Sequence, residues 1–303
     1  MLEIAGCRID SASGVVAIRL ISSQDTDVEK FADQFLGLRT VYDQAKFPYS
    51  ILVDKQAVLG LVVAAREPRE LVQPAGSPFT QIHIFRHSPT AVQRLLDESK
   101  RLAGSHKAAF VCCVIDDKNP ETAALLEKAG FALFDDSFKM GCPLEAVTQP
   151  ATDLTFSRTT PQDAALILKH LVPMMEGSAD HLMQASVRNI SKLPPALLNS
   201  IVGQMEVMFV QRKNAVVGIL SLTGPAISMV GVLPSERGKG YGRTITQWAV
   251  WHLAQEGHPR AWLRVSVENK PAIRIYESLG FHVAERMKYY LKKQPPYWQD
   301  SKS

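Results

Sequence analysis

The sequence predicts an α/β protein in which a mixed, twisted sheet flanked by helices occurs twice in tandem. Three observations carry that prediction. The chain has 303 residues, which suits two medium domains better than one. Strand-like and helix-periodic runs follow the same order in both halves: strand, helix, strands, helix, strand, helix, strand. The chain also repeats itself at an offset of 150 residues, where NPETAALLEKAGF (119–131) aligns with NKPAIRIYESLGF (269–281). Asn119, Glu127, Gly130 and Phe131 there coincide with Asn269, Glu277, Gly280 and Phe281.

Taken in order, the first half opens with a β-favouring run at 15–20 and a helix-periodic stretch at 27–45. Apolar and β-branched runs then predict strands at 49–54, 57–65 and 81–85. A helix follows at 91–103. The stretch AAFVCCVID (108–116) contains a strand at 109–115, and Cys112-Cys113 lies inside it. The second half repeats the scheme, with a strand at 154–158, helices within 162–175 and 195–201, and strands at 206–212, 216–223 and 226–232. A helix at 242–255 and a strand at 261–267 precede a short helix and a last strand opened by Gly280-Phe281. The halves join near Thr148-Gln149-Pro150-Ala151, giving a first domain at 1–148, a second at 152–294 and a C-terminal tail at 295–303.

Composition excludes several function classes. Hydrophobic residues make up 46% and charged residues 21%, as in ordinary globular proteins. No apolar run approaches the roughly 20 residues that cross a bilayer. The N-terminus MLEIAGCRIDSASG lacks the basic segment and apolar core of a secretory signal, so a cytoplasmic protein is expected. Cys7, Cys112, Cys113 and Cys142 show no metal-ligand spacing and read as reduced core thiols, with no metal implied. Residues 1–150 carry 16 Lys+Arg against 19 Asp+Glu, and the remainder 18 against 11, so net charges of −3 and +7 make up the overall +4. A basic second half fits a polyanionic cofactor. Nucleic acid fits less well, because no Lys/Arg run is interleaved with aromatics.

The chemistry concentrates in VLPSERGKGYG, residues 232–242. A β-favouring run ends at Val232-Leu233, and a helical pattern opens directly behind Arg237-Gly238-Lys239-Gly240-Tyr241-Gly242. Glycines let backbone N–H groups converge without a Cβ in the way, and the helix N-terminus adds partial positive charge. The turn therefore predicts an anion seat of pyrophosphate size. No Gly-Lys-Ser or Gly-Lys-Thr follows, which excludes a nucleotide-hydrolase P-loop. The spacing is R-x-x-G-x-G, with Pro234 three residues before Arg237, rather than the G-x-G-x-x-G of a dinucleotide fold.

That turn resembles the coenzyme A pyrophosphate motif of the GNAT superfamily of N-acetyltransferases. A second signature resembles the same family: a strand, then Asn269, Pro271, Ala272, Tyr276 and Gly280-Phe281 in ENKPAIRIYESLGF. The resemblance implies two tandem GNAT-like acyl-CoA N-acyltransferase domains. It further implies acetyl-CoA as co-substrate and a small-molecule or peptide amine as acceptor. It places the pyrophosphate on the backbone of Arg237, Gly238, Lys239, Gly240, Tyr241 and Gly242, with Arg237 and Arg243 available for side-chain contact. The strand end at Val232 and Leu233 is expected to pair with the pantetheine amides, and one N–H there to meet the oxyanion. Asn269 is expected to touch the pantetheine arm, a role compatible with capping the helix behind it. Tyr276 is the expected general acid toward the leaving thiolate; its helical spacing with Ile273 and Gly280 equally suits a packing role.

The general base stays open. Glu206, Glu236 and Glu268 flank strands or lie in the loop, and His181 falls in EGSADHLMQ, where the family often builds its acceptor pocket. His83 and His87 belong to the first half, with structural roles expected. That half has HSPTAVQ in place of PSERGKGYG and Leu126 in place of Tyr276, so it is expected to be inactive toward coenzyme A and to support or shape the substrate pocket. Two alternatives remain beside acetyl transfer to a primary amine: a coenzyme A-binding regulatory protein without turnover, and transfer of another acyl or aminoacyl group.

Overall fold

A computed structural model describes residues 18–36, 38, 43, 46–55, 57–66, 78–145, 147–180, 183–184, 187, 191, 194–203 and 205–294. The predictions for 15–17, His181, Cys7 and the 295–303 tail lie outside the described residues, as do most of those for 37–45. Residues cluster into two compact units: 1–68 with 75–134 and 288–303, and 69–74 with 135–287.

The first unit holds β1 (Arg19–Ser22), a 3-10 helix (Thr26–Phe35), β2 (Tyr49–Val53), β3 (Val58–Arg66) and β4 (Pro78–Ile84). These are followed by α1 (Pro89–His106), β5 (Phe110–Asp116) and α2 (Pro120–Lys128). Strands β1 to β4 are successively antiparallel, and β5 lies parallel to β4 through four pairs, from Phe79↔Phe110 to Ile82↔Cys113. Beyond β5 the sheet is completed by the C-terminal part of the chain's last strand, β12 (His282–Lys293). Gln294 N donates to Ala109 O at 3.0 Å there, and Tyr290 is buried among Leu126, Phe131 and the α1 leucines. Burial raises the thiol pKa of Cys113, so its reactive thiolate is disfavoured.

Burial also depresses His83 on β4 to a pKa of about 4. The folded state therefore binds this proton less readily than the unfolded chain, and stability present above pH 6.5 is lost as pH falls toward 4. His83→Gln is expected to reduce that acid loss by about 1 kcal/mol between pH 7 and 5, allowing for solvent screening. Urea unfolding of both proteins at the two pH values measures it.

The second unit begins with β6 (Ala132–Pro143), the last strand of the first sequence repeat, paired antiparallel to β11 (Arg260–Ser266) from Arg260↔Pro143 to Ser266↔Ser137. The second unit thus contains β6 from Asp135 onward, and the first unit contains β12 from Lys288 onward. The remaining strands are β7 (Leu154–Arg158), β8 (Glu206–Arg212), β9 (Ala215–Thr223) and β10 (Ala226–Val232), giving the order β6-β11-β10-β9-β8-β7. Helices α3 (Ala164–Met175), α4 (Pro195–Val202), α5 (Tyr241–Gln255) and α6 (Lys270–Ser278) complete it. Helix α5 lays Ile245, Ala249 and Leu253 into the core against Leu220, Leu263 and Val265, the i, i+4, i+8 stripe of an amphipathic helix. Among the described residues no helix is long and apolar enough to cross a membrane.

Candidate functional site

The site begins where two strands part. β10 and β11 are paired only at Ala226↔Trp262 and Ile227↔Leu263, and a register shift at Ile227/Met229 bends β10 beside that point. On its other edge β10 stays paired with β9 as far as Val232↔Gly218. Leu233 N donates to Val217 O at 3.0 Å, so that amide is engaged by the sheet. With the two-residue period of a strand, the amides of Val230 and Val232 turn to the opposite, open edge. Past the parting lies a cleft of about 400 Å³, lined by Val230, Gly231 and Val232 on one wall and Asn269, Ala272 and Tyr276 on the other.

The glycine turn closes one end of the cleft. Gly238 and Gly240 adopt φ of 78° and 85°, the left-handed region that a Cβ disfavours. A Cβ on either would meet nothing within 4 Å. Gly240 is the N-cap of α5, and no side chain among the described residues accepts from the helix's first amides. These orphan donors and the helix dipole leave an anion seat. Gly242 lines the cleft, close to Ile275 and Val232. Tyr241 sends its side chain into the core, with Arg212 5.9 Å from its ring, so only its backbone serves the turn.

The basic side chains around the turn already have partners. Arg237 donates through Nη2 to Met174 O at 2.9 Å and through Nε to Val232 O at 3.4 Å, tying α3 to the end of β10. Lys239 pairs with Glu236 at 3.0 Å on the surface, and Arg243 donates to Ser278 Oγ. Asn269 caps α6, its Oδ1 accepting from Ala272 N at 3.3 Å, and also lines the cleft.

Tyr276 stands in the second wall with its ring 5.9 Å from Phe281. Its hydroxyl has no hydrogen-bond partner among the described residues. Enclosure by protein, then the negative charge of Asp180, push its pKa up to about 12, which keeps the proton on the oxygen. The other titratable candidates are less well placed. Glu268 lines the cleft but is exposed. Glu206 is held by Arg158 at 2.6 Å and His252 at 3.3 Å. Glu206, His252 and Glu256 are close enough to share a metal ion, yet Arg158 already occupies the Glu206 oxygen that faces His252. Sequence reasoning missed Arg264, Asp180, Asp135 and Ser137, joined by hydrogen bonds across 84 to 129 residues of chain; no local pattern marks them.

The equivalent place in the first unit is built differently. β4 and β5 stay paired twice as far as β10 and β11. Helix α1 begins with Pro89, which has no N–H, and Ser88 Oγ accepts from Ala91 N at 3.3 Å. His87 Nδ1 lies 3.0 Å from Thr122 Oγ1, so that loop is tied to α2. Neither an open slot nor an uncapped helix start is present there among the described residues.

The family model described as FR47-like protein matches residues 207–291. Curated relatives are similar over a short stretch: mycothiol acetyltransferase of Thermomonospora curvata at 47% identity over 55 residues, and that of Streptomyces scabiei at 44% over 55. The match covers 18% of this chain and 18% of each relative. Solved structures are similar over nearly the whole chain. A GCN5-related N-acetyltransferase from Sphaerobacter thermophilus aligns with a TM-score of 0.64 and 15% identity, over 91% of this chain and 96% of that one. A tandem GNAT protein from the clavulanic acid biosynthesis pathway aligns with a TM-score of 0.60 and 14% identity, over 92% and 99%.

Proposed function

We propose that this chain, which belongs to the GNAT superfamily and carries its fold twice in tandem, transfers an acetyl group from acetyl-coenzyme A to a primary amine at one site, in the second unit. The parting of β10 from β11 beside an uncapped helix start is the observation that carries this reading. It offers in one cleft a slot for an extended chain, a seat for a pyrophosphate and, on the facing wall, a protonated tyrosine. The mycothiol acetyltransferase relatives support a small-molecule amine as acceptor.

When bound, acetyl-coenzyme A supplies a thioester whose carbonyl carbon accepts the amine's lone pair and whose sulfur leaves with the C–S electrons. The backbone amides of the turn and of the first turn of α5 hold the pyrophosphate. The open edge at Val230 and Val232 pairs with the pantetheine amides and aligns the thioester, and this positioning is a large part of the rate. Arg237 acts by bracing α3 against β10. Tyr276 delivers its Oη proton to the departing sulfur, the proton lost by the attacking amine passes to solvent, and solvent returns one proton to the Tyr276 oxygen. A second reading, coenzyme A binding without turnover, rests on the exposure of Glu268, the one carboxylate among the described residues that line the cleft; release of free thiol in the presence of an amine panel separates the two.

Calorimetric titration with acetyl-coenzyme A is expected to give one molecule per chain. Two would return the first unit to cofactor binding, and none would remove the assignment of the cleft.

A further inference from the structure

The stretch from Met174 to Asp180, the end of α3 and the turn behind it, is held near each end by an arginine. At Met174, Arg237 Nη2 donates to the carbonyl oxygen at 2.9 Å while its Nε donates to Val232 O at 3.4 Å, which fastens the stretch to the end of β10. At Asp180, Arg264 Nη2 donates to both carboxylate oxygens, each at 2.8 Å. Arg264 belongs to β11 and lies one residue beyond Leu263, the last to pair with β10. The stretch therefore bridges the two strands where they part.

The Arg264 end is a fixed post. β11 is paired with β6 from Arg260 to Ser266, and on β6 Asp135 Oδ2 and Ser137 Oγ accept from Arg264 Nη1 at 3.0 and 2.6 Å. Two bonds onto one carboxylate fix direction as well as distance. Asp180 passes that placement to its neighbours: its N donates to Ser178 Oγ at 3.1 Å, and its Oδ1 accepts from Met183 N at 2.9 Å. Met175, Gly177, Ser178 and Ala179 line the cleft, as does Tyr276; Asp180 is not in that lining among the described residues, so it acts through them. The cofactor seats belong to other elements, the open edge of β10 and the start of α5. We propose that Arg264 and Asp180 are positioning residues: the bridge they complete holds Ser178 and Ala179 as the wall against which the acceptor amine is aligned on the thioester. This rests on the acetyltransferase reading above. Without the paired bonds the wall loses its fixed tie to β11, and an amine displaced by about 1 Å reacts on the order of a hundredfold more slowly.

The test uses Asp180→Asn and Asp180→Ala, with 1,4-diaminobutane, 4-aminobutanoate and 2-phenylethylamine offered as acceptors. Asparagine keeps the oxygen that serves Met183 N and one bond to the guanidinium, and alanine keeps neither. For the amine that wild type acetylates, kcat/KM is expected to fall about tenfold in Asp180→Asn and about a hundredfold in Asp180→Ala, while the calorimetric Kd for acetyl-coenzyme A stays within about twofold. A merely structural role would move both together. Unchanged kcat/KM in the variants, or an acetyl-coenzyme A affinity that falls in step with it, overturns the proposal. Should Asp180→Ala not fold, Asp180→Asn decides by the same split. If wild type transfers to no amine, the acetyltransferase reading fails instead, and hydrogen exchange decides the bridge. Faster exchange at the amides of Gly177 to Asp180 in Asp180→Asn, with α5 unchanged, supports it, and unchanged exchange there overturns it.

Discussion

Gly240→Glu is expected to weaken acetyl-coenzyme A binding by at least about a hundredfold, or about 2.7 kcal/mol. Two effects combine at this position. The residue has φ of 85°, where a side chain costs about 1–2 kcal/mol, and the space its Cβ would enter is empty of protein. That space lies in front of the uncapped amides of α5, so a carboxylate placed there competes for the donors a pyrophosphate would use and repels its charge. Gly257→Glu supplies the control. It has φ of 81° and an equally open Cβ, but stands just beyond the opposite, C-terminal end of α5. Both variants should lose similar thermal stability, and only Gly240→Glu should lose affinity by calorimetry. Wild-type affinity in Gly240→Glu would end the assignment of this turn to phosphate.

The parts of this site that could be read from the sequence are those whose physics is local. Three strands, 154–158, 206–212 and 226–232, have the bounds that their apolar runs predict. The glycine turn was legible because a positive φ demands glycine, and Asn269 because a cap is set by its neighbours within three residues. What escaped is set by pairing over long distance. Nothing in AWLRVSV says that β11 leaves β10 after Leu263, since strand pattern encodes which face is buried and not where pairing stops. The placing of β6 beside β11, and of the end of β12 in the first unit, is hidden for a related reason: an alternating strand pattern does not say which neighbour the strand will pair with. Arg237 shows a third limit. Its place in the motif suggested a phosphate partner, whereas its guanidinium meets two carbonyl oxygens that only the folded α3 and β10 bring within reach.

Removing the Tyr276 hydroxyl should separate chemistry from binding. In Tyr276→Phe, kcat is expected to fall about a hundredfold, the lower end of what a positioned proton donor contributes. The dissociation constant for acetyl-coenzyme A should stay within about twofold, because the ring that packs on Phe281 is retained. Burial, with Asp180 second, raises the tyrosine to about 12, so it remains a donor across the working range and adds no basic limb to the wild-type rate profile below that value. The same shift makes a stability statement with a definite sign. A folded-state pKa above the unfolded value of 10 means that the contribution is complete below pH 10 and is lost as pH rises toward 12. Unfolding experiments between those pH values should show the loss in wild type and its absence in Tyr276→Phe. A variant that turns over at the wild-type rate while showing that altered pH dependence would leave Tyr276 a buried packing residue and move the proton donor elsewhere in the cleft.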